Sequence, residues 1–176
     1  MEEQIEQPPK TGTYALIYGG LLGALGVVFG IILFIMDLHY QGGLSLLIIN
    51  LLITLAFISF GIYAFRKQNA GYISFGEALK IGVGIALIGG IIGIIYQQVL
   101  VNVLDPEFVD KSLELGRAQL TENTSLTTEQ INQRIEGQRR FSTPLYQVAF
   151  GLIGSIVFGF ILSLIPGLAL KRSKNE

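Results

Sequence analysis

The sequence has no cysteine, a single histidine and few charges. Without cysteine, disulfides and thiolate metal sites are excluded. One histidine excludes a multi-histidine metal site. Lys and Arg number 12 and Asp and Glu 13, for a net charge of -1. The basic surplus of a nucleic-acid binder is missing, so no nucleic-acid partner is expected. Charged residues make up 14% of the chain, against about 25% in a soluble domain. There is no nucleophile–base pair, no phosphate loop and no nucleotide fingerprint. The expectation is therefore no cofactor, no metal and no enzymatic activity.

What is present is apolar. Hydrophobic residues make up 51% of the chain, and mean hydropathy is +0.57. Four stretches carry no charge: Tyr14 to Met36, Leu44 to Phe65, Ile81 to Leu104 and Leu145 to Leu170. A helix rises 1.5 Å per residue, so about 20 residues cross a hydrocarbon core of roughly 30 Å. All four stretches are long enough. The expected fold is an all-α membrane protein, with four transmembrane helices and a short helical hairpin between the third and fourth. Its parts are a tail over 1–13, three spans over 14–104, the hairpin over 105–144, a span over 145–170 and a tail over 171–176. The tail MEEQIEQPPKTGT is acidic, unlike the basic start of a signal peptide, so the first helix is expected to stay.

Four spans put both tails on one side. That side carries Lys10, Arg66, Lys67, Lys80, Lys171, Arg172 and Lys174. The other side carries Lys111, Arg117, Arg134, Arg139 and Arg140, all in the 105–144 segment. The positive-inside rule then makes both termini cytoplasmic and the hairpin extracytoplasmic. Arg139 and Arg140, close to the fourth helix, pull against that assignment.

Residues 19–32 read GGLLGALGVVFGII, a helix with five glycines. In water each would cost roughly 1 kcal/mol against alanine. Shifted by 63 residues, Gly19, Gly23, Gly26 and Gly30 fall on Gly82, Ala86, Gly89 and Gly93. Residues three and four apart share a helix face, so each of these helices carries a smooth groove. In lipid, close backbone approach supplies helix association. In the fourth helix Gly151, Ser155, Gly159, Ser163 and Gly167 recur every four residues. A period of four winds around a 3.6-residue helix and fits a steep crossing. Pro166 is expected to bend or weaken its last turn. Two readings of the small residues stand open: packing within one subunit, or a duplicated helical hairpin.

No ionisable residue lies mid-span, which argues against a proton-coupled pump. Asn50 is expected to hydrogen-bond a neighbouring helix or, failing that, a substrate. Gln97, Gln98 and Asn102 belong near the interface. Asp37 and His39 form a weak Asp-x-His pair, readable as a metal or proton site or as a polar turn. Glu77 and Lys80 have the spacing of a helix ion pair at the membrane interface, while Ser74 and Glu77 have that of a capping box. In the hairpin, Asp105-Pro106 reads as an N-cap and first helical position. Val109, Leu113, Gly116 and Leu120 follow at helical spacing. Thr127 and Gln130 have the spacing of a second capping box, before Ile131 and Ile135. The hairpin is too short for a core of its own. It is expected to lie on the interface or over the bundle, as a partner-binding surface or a spacer.

The acidic tail, the glycine-rich first helix, GYISFGEAL, LDPEF and RRFSTP together resemble one family. It is the bacterial, mainly Bacteroidetes, membrane proteins grouped as "domain of unknown function 4199". The resemblance implies four membrane helices and carries no activity or site residues. The expected role is structural or accessory, in the bacterial cytoplasmic membrane, with a homo-oligomer or another membrane protein as partner beside the lipid bilayer. The alternative is a small transporter or channel-like protein, with a path between the glycine-lined helices.

Overall fold

A computed structural model describes residues 9–40 and 43–172. The acidic tail through Pro8, and Lys174, lie outside the described residues. Among the described residues six α-helices follow in order: α1 (Thr11–Ile35), α2 (Leu44–Gln68), α3 (Phe75–Val99), α4 (Phe108–Asn123), α5 (Thr128–Phe141) and α6 (Pro144–Leu170). A π-helical turn, Leu100–Leu104, extends α3. The helices α1, α2, α6 and the extended α3 are long and apolar enough to cross a membrane. The chain is therefore the expected all-α, four-span protein with a helical hairpin, α4–α5, before the last span.

The third helix is the centre. It packs along α1 on one side and α6 on the other, while α2 makes smaller contacts with all three and α1 scarcely meets α6. A duplicated hairpin would pack α1 on α2 as closely as α3 on α6, and the helices do not follow that symmetry. Against α1, the central helix runs parallel: Ala15 meets Gly84, Gly19 meets Ile88 and Gly23 meets Ile92. Against α6 it runs antiparallel. Ala78, Gly82, Ala86, Gly90 and Ile94 meet Gly167, Ser163, Gly159, Ser155 and Gly151 in that order. A steep crossing would separate the axes within two turns. This seam instead stays in contact over five rungs.

The two ends of the bundle differ. At the end bearing the α2–α3 loop, a core of Tyr14, Ile58, Ile62, Phe65, Ile73, Ala78, Ile81 and Ile85 draws on α1, α2, the loop and α3. Tyr14 meets Phe65 edge to face at 5.4 Å and its hydroxyl donates to Gln68. Ile73 and Arg172 exchange backbone hydrogen bonds of 3.1 and 3.0 Å, tying the loop to the end of α6. Ala70 and Gly71 turn the chain there with φ of 51° and 85°. The buried residues of α1, α2, α3 and α6 all lie toward this end. Pro166 is buried and α6 continues past it to Leu170. A proline removes one backbone donor, and the adjacent Gly167 leaves room for Phe75 and Ala78.

The hairpin does form a small core: Leu113, Ile131 and Ile135 are buried, with Val109, Leu120 and Leu126 against them. Its apolar stripe is short but two-sided, so the two helices bury each other. Thr127 and Gln130 form the second capping box as spaced.

Candidate functional site

A buried polar cluster fixes the hairpin to the bundle. α1 stops at Ile35, and Asp37 adopts a φ of 55°, which an aspartate tolerates better than most side chains. The chain turns back and sets His39 and Tyr40 over the helix ends. On the other side the π-helical turn closes with a 2.8 Å bond from the Asp105 N–H to the Leu100 carbonyl. A π turn carries an extra residue, so it rotates the chain beyond it. Asp105 therefore faces His39 and Tyr40. It does not cap α4, whose first helical residue is Phe108 and whose N-cap is Glu107.

The Asp105 carboxylate is 10% exposed and gathers three donors. The Tyr40 hydroxyl donates to it, His39 Nε2 donates at 3.2 Å and Lys111 Nζ lies at 3.6 Å. The His39 ring, 5% exposed, sits among Phe34, Tyr40 and Phe108 at centroid distances of 5.0, 3.9 and 5.9 Å. The Tyr40 hydrogen bond, followed by those of His39 and the Lys111 charge, holds the Asp105 carboxyl below its ordinary value, against the opposing pull of burial. The same bond raises Tyr40, because losing its proton would lose the bond. Lys111 is raised, first by Glu107 at 3.1 Å and then by Tyr40. Chemically the cluster is a clamp, with a charged acceptor saturated by donors from the α1–α2 turn and from α4. Sequence reading paired His39 with Asp37. Its actual partner is Asp105, and no spacing rule links positions so far apart.

Beside the clamp runs an open groove of about 1080 Å³ between the hairpin and the bundle, with Arg134, Gln119 and Phe141 on its walls. Gln98 donates to Gln147 at 3.0 Å, joining α3 to the start of α6. Among the described residues no group of three His, Cys, Asp or Glu is placed to hold a metal.

The small residues divide into two sets. A Cβ on Gly19 would come within 2.8 Å of Ile88, on Gly23 within 2.5 Å of Ile92 and on Gly30 within 2.5 Å of Tyr96. One on Gly89 would come within 2.9 Å of Leu22, on Gly151 within 2.9 Å of Ile94 and on Gly159 within 2.6 Å of Ala86. On Gly82 it would overlap the Ser163 hydroxyl. Ser155 and Ser163 donate to the carbonyls of Gly151 and Gly159, so neither hydroxyl is orphaned. At Gly26 and Gly93, by contrast, a Cβ would meet nothing within 4 Å. These two do not touch a neighbouring helix. They line a cavity of about 410 Å³ between the hairpin-end halves of α1, α2, α3 and α6.

Two further residues stand elsewhere than their spacing suggested. Glu77 and Lys80 form no ion pair: the Glu77 carboxylate accepts from the Ser74 N–H at 2.8 Å and hydroxyl at 2.7 Å, completing the capping box, and Lys80 is exposed. A capping box supplies Glu77 with two fixed donors close by, which a flexible lysine in solvent does not match. Among the described residues nothing hydrogen-bonds the Asn50 side chain; only its backbone carbonyl is engaged, accepting from the Thr54 hydroxyl.

No curated protein and no solved structure matches the chain. The family described as "Protein of unknown function (DUF4199)" matches residues 17–172, nearly the whole sequence, and the chain belongs to that family.

Proposed function

We propose that the protein is a structural or accessory subunit of the bacterial cytoplasmic membrane, without catalytic activity, that meets another membrane protein or a second copy of itself. Its termini face the cytoplasm and its hairpin the opposite side. The observation that carries this reading is the clamp: a buried carboxylate, a buried histidine and an aromatic stack hold the hairpin in one pose. A plain spacer has no need of such a fixture. The gathering of Arg66, Lys67, Lys171 and Arg172 at the loop end supports the orientation.

The test is photo-crosslinking in cells from Glu114 and Gln119, exposed on α4. A discrete adduct that disappears with Asp105→Ala is expected. No adduct at either position, or adducts indifferent to the clamp, would overturn the reading. Orientation is tested on the same chain, which has no cysteine of its own. A cysteine replacing Asn123, between α4 and α5, should react in permeabilised-envelope cells with a maleimide that cannot cross the inner membrane. Reaction only after lysis would invert the orientation and make the hairpin a cytosolic docking element.

A second reading, a small transporter, draws on the cavity that Gly26 and Gly89 help to line. It predicts that transport survives hairpin deletion and fails with Gly26→Leu or Gly89→Leu. An accessory subunit loses its partner on hairpin deletion while the bundle stays folded.

A further inference from the structure

At the hairpin end the four spans do not close on one another. The buried residues of α2 lie between Ile58 and Phe65, and from Leu44 to Phe57 it buries none. The gap is the cavity of about 410 Å³. Toward the loop end its walls are Leu22, Ala86 and Leu162, and beyond them Ile58, Ile62, Ile81 and Ile85 are fully buried. On its walls Leu25, Leu47 and Ile49 remain 42%, 49% and 43% exposed. Bare Gly26 and Gly93 complete a trough without projecting side chains. Such a surface gains dispersion contacts only when another molecule fills it.

Two polar groups narrow what that molecule is. The Tyr96 hydroxyl is buried without a hydrogen-bond partner. The Asn50 amide has none among the described residues, and both residues line the cavity. They sit at one depth. Tyr96 lies over Gly30, shortly before α1 ends at Ile35, and Asn50 follows the start of α2 at Leu44 by a similar interval. At 1.5 Å per residue, both are about 8–9 Å below the helix ends. Within a membrane that is near the top of the hydrocarbon, where an unpaired polar group is unfavourable. A bare hydrocarbon chain would leave both groups unpaired. Water would pair them but wet the glycine and leucine walls. A hydrocarbon chain headed by a carbonyl oxygen satisfies both, since hydroxyl and amide donate and the carbonyl accepts. No charged side chain lines the cavity, so the group at that depth is neutral.

We propose that this cavity binds one acyl chain of a bilayer ester lipid, its ester carbonyl accepting from Tyr96 and Asn50 and its chain running past Gly93 and Gly26. The bound lipid belongs to the leaflet on the hairpin side. It fills the wedge that α2 leaves open.

The test uses the purified full chain in detergent, loaded with dioleoyl phosphatidylethanolamine and read by native mass spectrometry. One retained lipid per chain is expected. At Gly93 and Gly26 a Cβ meets nothing within 4 Å, so Gly93→Leu and Gly26→Leu lead a side chain into the trough and should abolish retention while the chain stays folded. Gly20→Leu is the control, because Gly20 also meets nothing but is not on the cavity wall. It should retain lipid as the native chain does. The ether-linked analogue, which lacks the carbonyl, should bind about tenfold more weakly, the combined net worth of the two hydrogen bonds it cannot make. The double variant Tyr96→Phe with Asn50→Leu should lose that preference. Retention unchanged in Gly93→Leu, lost equally in Gly20→Leu, or equal for ester and ether lipids would overturn the proposal. So would a dimer mass that vanishes in Gly93→Leu, which would make a second copy the occupant. If the glycine variants do not fold, the ester–ether comparison on the native chain decides alone.

Discussion

Gly82 and Gly93 lie on the same helix about three turns apart, and so on nearly the same face. The first is pressed against Ser163 of α6 and the second faces a void. The difference belongs to the two halves of the bundle. At the loop end four helices converge, and isoleucines close the interior around a seam of Gly, Ala and Ser. At the hairpin end α2 departs, the same residue types border a cavity, and order is supplied from above by the Asp105 clamp. Glycine has two uses in one protein: close approach of backbones where a neighbour arrives, and clearance where none does. A small-residue stripe in a membrane helix does not by itself say which.

The largest break of this contrast should come at the seam. Gly82→Leu or Gly159→Leu requires α3 and α6 to separate. At Gly159 a Cβ would lie 3.2 Å from the Val83 Cα, where no rotamer change can help. Overpacking of this kind costs about 1–3 kcal/mol or more. With backbone in the way, the upper end of that range is expected. Thermal unfolding of the purified chain in detergent, followed by size-exclusion, should show a clearly lowered melting temperature. A variant that melts like the native protein would dissolve the distinction between the two halves.

Next comes the clamp. Asp105→Ala strands the Tyr40 hydroxyl and the His39 N–H in a site shielded from water, at about 1–3 kcal/mol. Hydrogen exchange should rise across α4 and leave the loop end unchanged. A rise spread evenly over all four spans would mean the two halves are not separable. The clamp also has a pH signature. Asp105 is held below its ordinary value of 3.8, so its contribution is fully present above that value. It is lost as pH falls through the lower folded-state value. Exchange in α4 should therefore stay protected as pH drops to 3.8 and rise only below it. Loss of protection at higher pH would show that Asp105 is not the group that titrates.

Much of this was legible beforehand. The four spans follow from four uncharged runs, which only a membrane solvent accommodates. The α3–α6 seam was visible as a period of four, and both capping boxes as spacing. What was hidden depends on contacts between distant segments. Asp105-Pro106 carries the local signature of a helix cap, and only the π turn before it rotates the carboxylate away toward His39. Gly26 repeats the pattern of Gly23, and Gly93 that of Gly89. They part company because α2 diverges, and nothing in α1 or α3 encodes that divergence. Asn50 looked like an interhelical hydrogen-bond donor and lacks a helix to reach for the same reason.

The smallest expected effect is the most discriminating. Gly26→Ala and Gly93→Ala add one methyl group each, to sites with no neighbour within 4 Å. Neither glycine has a φ in the left-handed region, where Gly71 alone stands among the described glycines. Alanine therefore fits both backbones without strain. Removing a glycine from a helix interior stabilises by about 0.4–1 kcal/mol, mainly by narrowing the unfolded ensemble. Each variant should melt slightly above the native chain. The matched pair Gly23→Ala and Gly89→Ala, one repeat position away in each helix, should melt below it, because Ile92 and Leu22 occupy the space. Opposite signs within one motif would locate the boundary between the closed and open halves to within a turn. Equal signs would mean that α2 closes over Gly26 and Gly93 in the membrane. The hairpin end would then pack as tightly as the loop end.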